Sequence, residues 1–205
     1  DHNCFTIEIA NQMDRLGQIV NFSKNALGLV GYQDQELRFQ NIKTLMPRTI
    51  AVHHDRVLKD FFQNGKDTSL RKPQHNFCIN NKGYCFSVHM ILKTNPMLGH
   101  YRLLGLFRKL NAYDYLVTDE KGVFDSFGEK IGQLLDLTPQ QAQAAKLNLA
   151  LIAPKVVKYY HYYLVKKVQQ FDDEAATKPK TFFIFVPNNW RSFLQRWQEK
   201  RRGKG

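Results

Sequence analysis

The feature that most constrains this chain is a short pattern that occurs twice in the same order. The pattern begins with a glycine, followed five residues later by a phenylalanine, and continues with an Asn-led apolar stretch that ends at a proline. Its members are Gly17, Phe22 and Asn41 to Pro47 in the first half, and Gly122, Phe127 and Asn148 to Pro154 in the second. A histidine lies seven residues beyond each proline, at His54 and His161. This repeat predicts two related units, and 205 residues suffice for two domains of about 100 residues each.

The first half of the chain predicts strands, then helices, then strands. Ile7 and Ile9 alternate with polar residues, and a turn at Gly17 leads into a second short strand. Ser23 is a candidate N-cap for the first of several short helices, and a longer helix is expected from Thr49 to Asn64. Three further strands are predicted at Gln74 to Asn80, Tyr84 to Lys93 and Tyr101 to Leu110, the first two joined by an Asn81-Lys82-Gly83 turn. The fold class is therefore α+β, with helices covering one face of a five-stranded antiparallel sheet.

The second half begins in the same way and then departs from the first. Tyr115 to Asp125 predicts a strand, a tight turn and a second strand. After Leu164, however, a polar linker occupies Phe171 to Lys180, and only Thr181 to Val186 has the pattern of a strand. Either this unit is incomplete or the sequence lacks residues near 171–180. The expected domains are residues 1–110, residues 111–187 as the diverged copy, and residues 188–205 as a basic amphipathic tail.

Charge and cysteine usage bear on partners and compartment. Thirty Lys and Arg against 18 Asp and Glu give a net charge of +12, spread along both halves, so an acidic protein or another anionic partner is to be considered. Three cysteines without C-x-x-C spacing favour a reducing compartment. The sequence has no membrane-length apolar run and no signal-peptide pattern. We expect an intracellular segment of a longer polypeptide, in the cytoplasm or at the cytoplasmic face of a membrane.

Sequence motifs of catalysis are absent. There is no Gly-rich phosphate loop, no H-E-x-x-H and no nucleophile elbow, so the chain is not expected to be an enzyme. Tyr159 to Tyr163, among several lysines, could form a stacking face for nucleic acid or could pack on the sheet. Packing is the favoured interpretation, and no nucleic-acid partner is expected.

The repeated pattern belongs to a larger run of residues that resembles the PAS sensor domain. That run comprises Gly17 to Phe22, Gly28 to Tyr32, Glu36-Leu37, Asn41-Ile42, Leu45 to Pro47, His54, Leu58, Phe61 and Lys82 to Tyr84. The resemblance covers about residues 7–110, and residues 113–186 resemble a second, diverged PAS domain. It implies a module that senses a small ligand or docks on a protein, here a non-enzymatic tandem PAS segment of a larger signalling protein. The alternative is a structural scaffold component docked within a large macromolecular assembly.

The resemblance also suggests tests for cofactors. Flavin-binding members place a cysteine in the stretch that corresponds to Asn41 to Met46, which here contains none. In oxygen-sensing haem members the ligand histidine would fall on Thr68, and His75 is the nearest histidine that a shifted alignment could use. We therefore expect no flavin, haem or metal.

Two sets of residues are the candidate sites. A ligand pocket, if one exists, is expected among apolar residues that could equally form a solid core, namely Ile42, Leu45, Val57, Leu58, Phe61, Phe77, Phe86, Val88, Leu104 and Leu106. A partner-binding face is expected on the amphipathic tail, where aromatic residues at helical spacing lie beside arginines, namely Trp190, Arg191, Phe193, Leu194, Arg196 and Trp197.

Overall fold

The computed structural model describes residues 2–64, 72–97, 100–111, 113–156 and 158. Up to Leu110 these residues form the expected five-stranded antiparallel sheet, with strand order β2-β1-β5-β4-β3. The strands are β1 (Cys4–Ala10), β2 (Ile19–Phe22), β3 (Gln74–Ile79), β4 (Cys85–Met97) and β5 (His100–Leu110). Because β1 pairs with β5, the start and the end of this first unit are adjacent at the centre of the sheet.

Apart from a short 3₁₀ turn at Met13–Arg15, between β1 and β2, the helices of the first unit lie between β2 and β3 in the sequence. They are α1 (Lys24–Val30), α2 (Asp34–Leu37), a 3₁₀ turn (Ile42–Leu45) and α3 (Arg48–Asn64). Ser23 precedes α1 as predicted, but its hydroxyl accepts the backbone N–H of Thr6 at 3.0 Å instead of capping the helix. That bond ties the start of α1 to β1.

The core of the first unit fills the space between the helices and one face of the sheet. Phe5 on β1 and Phe107 on β5 are register partners, and their rings stack at 4.8 Å between centroids. Facing them from the helices are fully buried side chains such as Val30 and Leu37. Burial of each such side chain contributes about 1.5–3 kcal/mol. These apolar residues therefore determine which face of the sheet packs against the helices.

The second unit is built around a two-stranded antiparallel sheet and has a separate core. Its elements are β6 (Leu116–Thr118), β7 (Phe124–Phe127), α4 (Glu129–Leu135), α5 (Pro139–Ala144) and α6 (Leu149–Ile152). Thr138 caps α5, since its hydroxyl accepts the N–H of Gln141 at 3.2 Å and Oε1 of Gln141 accepts the N–H of Thr138. The predicted strand at Thr181 to Val186 lies outside the described residues.

The repeated glycine and asparagine make the same hydrogen bonds in both units. Gly17 and Gly122 both have φ of +77°, a conformation that side chains disfavour. The glycine carbonyl accepts the N–H of the residue after the asparagine, Ile42 or Leu149, at 2.8 Å in each unit. The asparagine Nδ2 donates to the carbonyl just before the glycine, and its Oδ1 accepts the N–H two residues on, as Asn41 does from Lys43 and Asn148 from Ala150.

Within the described ranges, no helix has both the length and the apolar character needed to span a lipid bilayer.

Candidate functional site

The interior of the first unit brings together six of the ten residues expected around a ligand pocket. Five of them belong to the buried core and the sixth, Phe61, packs against it; the five are Ile42, Leu45, Leu58, Phe86 and Val88. They lie on the 3₁₀ turn, on α3 and on β4, so helix and sheet side chains meet face to face. Their contacts make a packed apolar interior.

The other four expected pocket residues point elsewhere, which corrects the sequence-based set. Leu104 and Leu106 lie on the opposite face of β5 from Leu103 and Phe107, because successive side chains alternate between faces. Phe77 likewise faces away from the core, and its ring lies 5.0 Å from that of Tyr115. Val57 is 57% exposed, since it is one position, or about 100°, before Leu58 on α3.

Three buried side-chain polar atoms in the first unit have no hydrogen-bond partner in the part of the chain that the structure describes. They are Nδ1 of His54, on α3, Nδ2 of Asn76, on β3, and Oγ of Ser87, on β4. Burial lowers the pKa of His54, with the charge of Asp55 opposing that shift. Asn76 is the register partner of the core residue Val88, so it lies on the core side of the sheet. A polar ligand atom or a water molecule could satisfy each of these groups.

Two of the three cysteines, Cys78 and Cys85, are buried, whereas His75, the histidine considered as a haem ligand, lies on the outer face of the sheet. Burial raises the pKa of Cys78 and of Cys85 to about 12, so both thiols stay protonated at neutral pH. His75 is exposed on the face of β3 opposite the core, where its ring lies 6.0 Å from that of His89 and 5.9 Å from that of Tyr115. The described residues contain no group of three or more His, Cys, Asp or Glu side chains placed to bind one metal ion.

The start of α3 receives a carboxylate from the second unit. Oδ2 of Asp125, on β7, accepts the backbone N–H of Thr49 at 2.7 Å and also accepts the Thr49 hydroxyl. Asp125 is only 9% exposed, and its backbone carbonyl accepts the side-chain amide of Gln143. The first turn of a helix has backbone N–H groups without intrahelical partners, so this carboxylate acts as a cap supplied by the other unit.

A second contact joins the β3–β4 turn to the helices of the second unit. Gln140 on α5 donates a hydrogen bond from Nε2 to the carbonyl of Lys82 at 2.6 Å. The Tyr84 ring lies 6.2 Å from that of Phe127, and a β-carbon added to Gly132 would come within 2.7 Å of Tyr84 Cε1. Together with the Tyr115 ring, which lies against Phe77 and His75, these contacts join the two units at several points.

Sequence reasoning did not single out Asp125 as a functional residue. The available signal was a charged residue in a short strand between Phe124 and Phe127, where all four residues of β7 are buried. A buried carboxylate requires donors, but nothing in the sequence indicates that Thr49, 76 residues away, provides them. The expected partner-binding residues from Trp190 to Trp197 lie outside the described residues.

Comparisons with known proteins find similarity in solved structures only. No protein-family description matches the chain, and no curated protein matches it. The PAS domain of an HTR-like protein from Haloarcula marismortui is 17% identical and aligns over 52% of this chain and 86% of that chain, with a TM-score of 0.42. The PAS domain of a Desulfitobacterium hafniense protein is 13% identical over 53% and 93%, with a TM-score of 0.43.

A third similar structure was solved with a ligand. The PAS domain of the RpfR quorum-sensing receptor from Cronobacter turicensis, in complex with BDSF, is 20% identical over 53% of this chain and 95% of that chain, with a TM-score of 0.38. Because the sequence identities and the TM-scores are this low, we infer no ligand for this chain from these proteins. Its own five-stranded antiparallel sheet with helices on one face is an α+β fold.

Proposed function

We propose that this chain is a non-enzymatic sensory and protein-interaction module, a tandem PAS segment of a larger signalling protein. In this proposal residues 1–110 are the first PAS domain, residues 111–187 are a diverged copy, and residues 188–205 are a tail that docks on a protein partner. The matching hydrogen bonds around Gly17 and Gly122 support the two copies, because they involve backbone and side-chain atoms at equivalent positions.

The observation that supports a relay function best is the bond between Asp125 and Thr49. It connects β7 of the second unit to the N-terminal end of α3, which is the longest helix of the first unit. Leu58 places the same helix in the core of the first unit. A change in that core can therefore move α3 and, through the buried carboxylate, reach the second unit.

The packed interior favours docking as the main activity of the first unit. Six of the expected pocket residues pack in or against the core. A small ligand in this interior would therefore bind through the unpaired polar atoms of His54 and Asn76. Protein partners are thus the primary proposal and a small ligand the secondary one.

Hydrogen exchange followed by mass spectrometry tests the relay. Leu58→Val, which shortens a core side chain of α3, should speed exchange in β7 as well as in α3. The matched control is Leu37→Val, a similar truncation on α2, which is equally buried but does not lie on α3. Adding Asp125→Ala should abolish the effect of Leu58→Val on β7. If β7 exchanges at the same rate in all these variants, the units do not communicate and a static scaffold is the better description.

A further inference from the structure

A cleft of about 470 Å³ lies where the two units meet, outside the helix–sheet interior. Its walls include the end of α1, the β3–β4 turn and the end of β5 from the first unit, and the start of α4 from the second. The volume lies within the range of about 300–1,000 Å³ that small-molecule sites occupy. The cleft is therefore large enough for a ligand of nucleotide size.

The β3–β4 turn that forms one wall is held in place from both sides. The N–H of Asn81 donates to the carbonyl of Val30 at 2.8 Å, which fixes the turn against α1. Oδ1 of Asn80 accepts the N–H groups of Lys82 and Tyr84 at 3.0 and 2.9 Å, so the turn is also closed internally. The bond from Gln140 then fixes it against α5. Because the wall is preorganised, a ligand would lose little free energy in ordering it.

The cleft presents three lysine side chains, Lys82, Lys109 and Lys130. The four ion pairs found among the described residues involve none of them. Nζ of Lys109 lies 5.0 Å from the centroid of the Phe86 ring.

Two carboxylates also line the cleft. That of Asp114 accepts the backbone N–H of Ile131 at 2.7 Å and is thereby directed toward the start of α4. Glu129 is exposed. Three lysines against two carboxylates give the lining a net charge of +1, which favours an anionic ligand.

One exposed aromatic ring completes the cleft. Tyr113 is 76% exposed, which is unusual for a large side chain, and it lines the cleft together with the three lysines. Aromatic rings beside cations are the combination that binds a planar base and its phosphates.

We propose that this junction cleft binds a nucleoside polyphosphate. The base stacks on Tyr113, and the phosphates are held by Lys82, Lys109 and Lys130. This site goes beyond the proposed function, since it depends on the cleft and its charges and not on any relay or protein partner. Because both units contribute to it, bound ligand also stabilises their contact.

Fluorescence titration of the whole chain with mant-ADP, at fixed ionic strength, tests the site. We expect saturable binding below about 1 mM, and displacement by unlabelled ADP. Adenosine and pyrophosphate, which supply only one half of the ligand, should compete about tenfold less well. No saturable binding would overturn the proposal, and so would competition by pyrophosphate or adenosine as effective as that of ADP.

Substitutions then locate the site. The triple variant Lys82→Ala, Lys109→Ala, Lys130→Ala should bind mant-ADP at least about tenfold more weakly. The matched control, with the same loss of charge at exposed lysines outside the cleft, is Lys59→Ala, Lys93→Ala, Lys121→Ala, which should bind within about twofold of the original chain. Tyr113→Ser removes the stacking ring without altering charge and should weaken binding several-fold. It therefore tests the site even if the triple variant does not fold. Equal losses in the lysine variant and its control, or no effect of Tyr113→Ser, would contradict the assignment.

Discussion

Removal of the Asp125 carboxylate should destabilise the whole described structure and not only the second unit. The carboxylate accepts two donors of Thr49, its backbone N–H at 2.7 Å and its hydroxyl, at a site that is 9% exposed. Loss of a helix cap costs about 1 kcal/mol, and a buried donor left without an acceptor costs about 1–3 kcal/mol. Since these two figures partly describe the same bond, we expect Asp125→Ala to lower the free energy of unfolding by about 2 kcal/mol.

Urea denaturation followed by circular dichroism measures this loss, and thermal melting should show it as a fall in Tm of about 4–8 °C for a chain of this size. The control is Asp60→Ala, which removes an exposed aspartate from the same helix α3 and should change stability by less than about 0.5 kcal/mol.

A double-mutant cycle with Thr49→Val separates the bond itself from other effects of the substitution. Valine retains the backbone N–H and removes the hydroxyl, so the coupling free energy between the two positions should be about 1 kcal/mol. Additive losses, with a coupling near zero, would refute the contribution of the Thr49 hydroxyl, because valine retains the backbone N–H. A loss for Asp125→Ala no larger than the loss for Asp60→Ala would refute the capping role as a whole.

Three further predictions follow from the repeat, the buried imidazole and the tail. Asn148→Ala removes two hydrogen bonds to the backbone and should cost about 1–2 kcal/mol in urea denaturation; a loss too small to measure would show that these bonds do not hold the second unit together. Because burial lowers the pKa of His54, the unfolded chain binds its proton at a higher pH than the folded chain, so stability should fall as the pH drops below about 6.5. His54→Gln should reduce that fall in stability. An unchanged pH profile of the free energy of unfolding would show that His54 does not cause the fall. Replacing Trp190 and Trp197 together by alanine should weaken partner binding or docking of the tail by about 2 kcal/mol or more, measured by calorimetry, whereas the first unit should remain folded.

The sheet could be predicted from the sequence because its strands have clear boundaries, but the side of β5 that faces the core could not. The strand contains apolar residues at Leu103, Leu104, Leu106 and Phe107, so alternation favours neither face. The choice depends on register with β1, which places Phe107 opposite Phe5. Register is a property of two strands that are far apart in the sequence, and local pattern alone does not determine it.

In the long helix α3, too, the local sequence pattern does not determine which apolar residue is buried. Val57 and Leu58 are both apolar and adjacent, and the helical pattern admits either one on the buried face. Packing decides in favour of Leu58, which is 5% exposed against 57% for Val57. Apolar residues on the surface are common in folded proteins, so an apolar side chain in a helix is weak support for a place in the core.

The contact between the units depends on the positions where the two copies of the repeat differ. Counting from the shared glycine, Asp125 corresponds to Val20 in the first unit, and counting from the shared proline, Thr49 corresponds to Val156 in the second. Both counterparts are half-buried valines that cannot accept or donate a side-chain hydrogen bond. The polar pair therefore exists only across the junction, with the acceptor in the second unit and the donors in the first. Without the first unit, the buried carboxylate of Asp125 would lose the two donors that balance its desolvation, so the second unit should be less stable alone than joined.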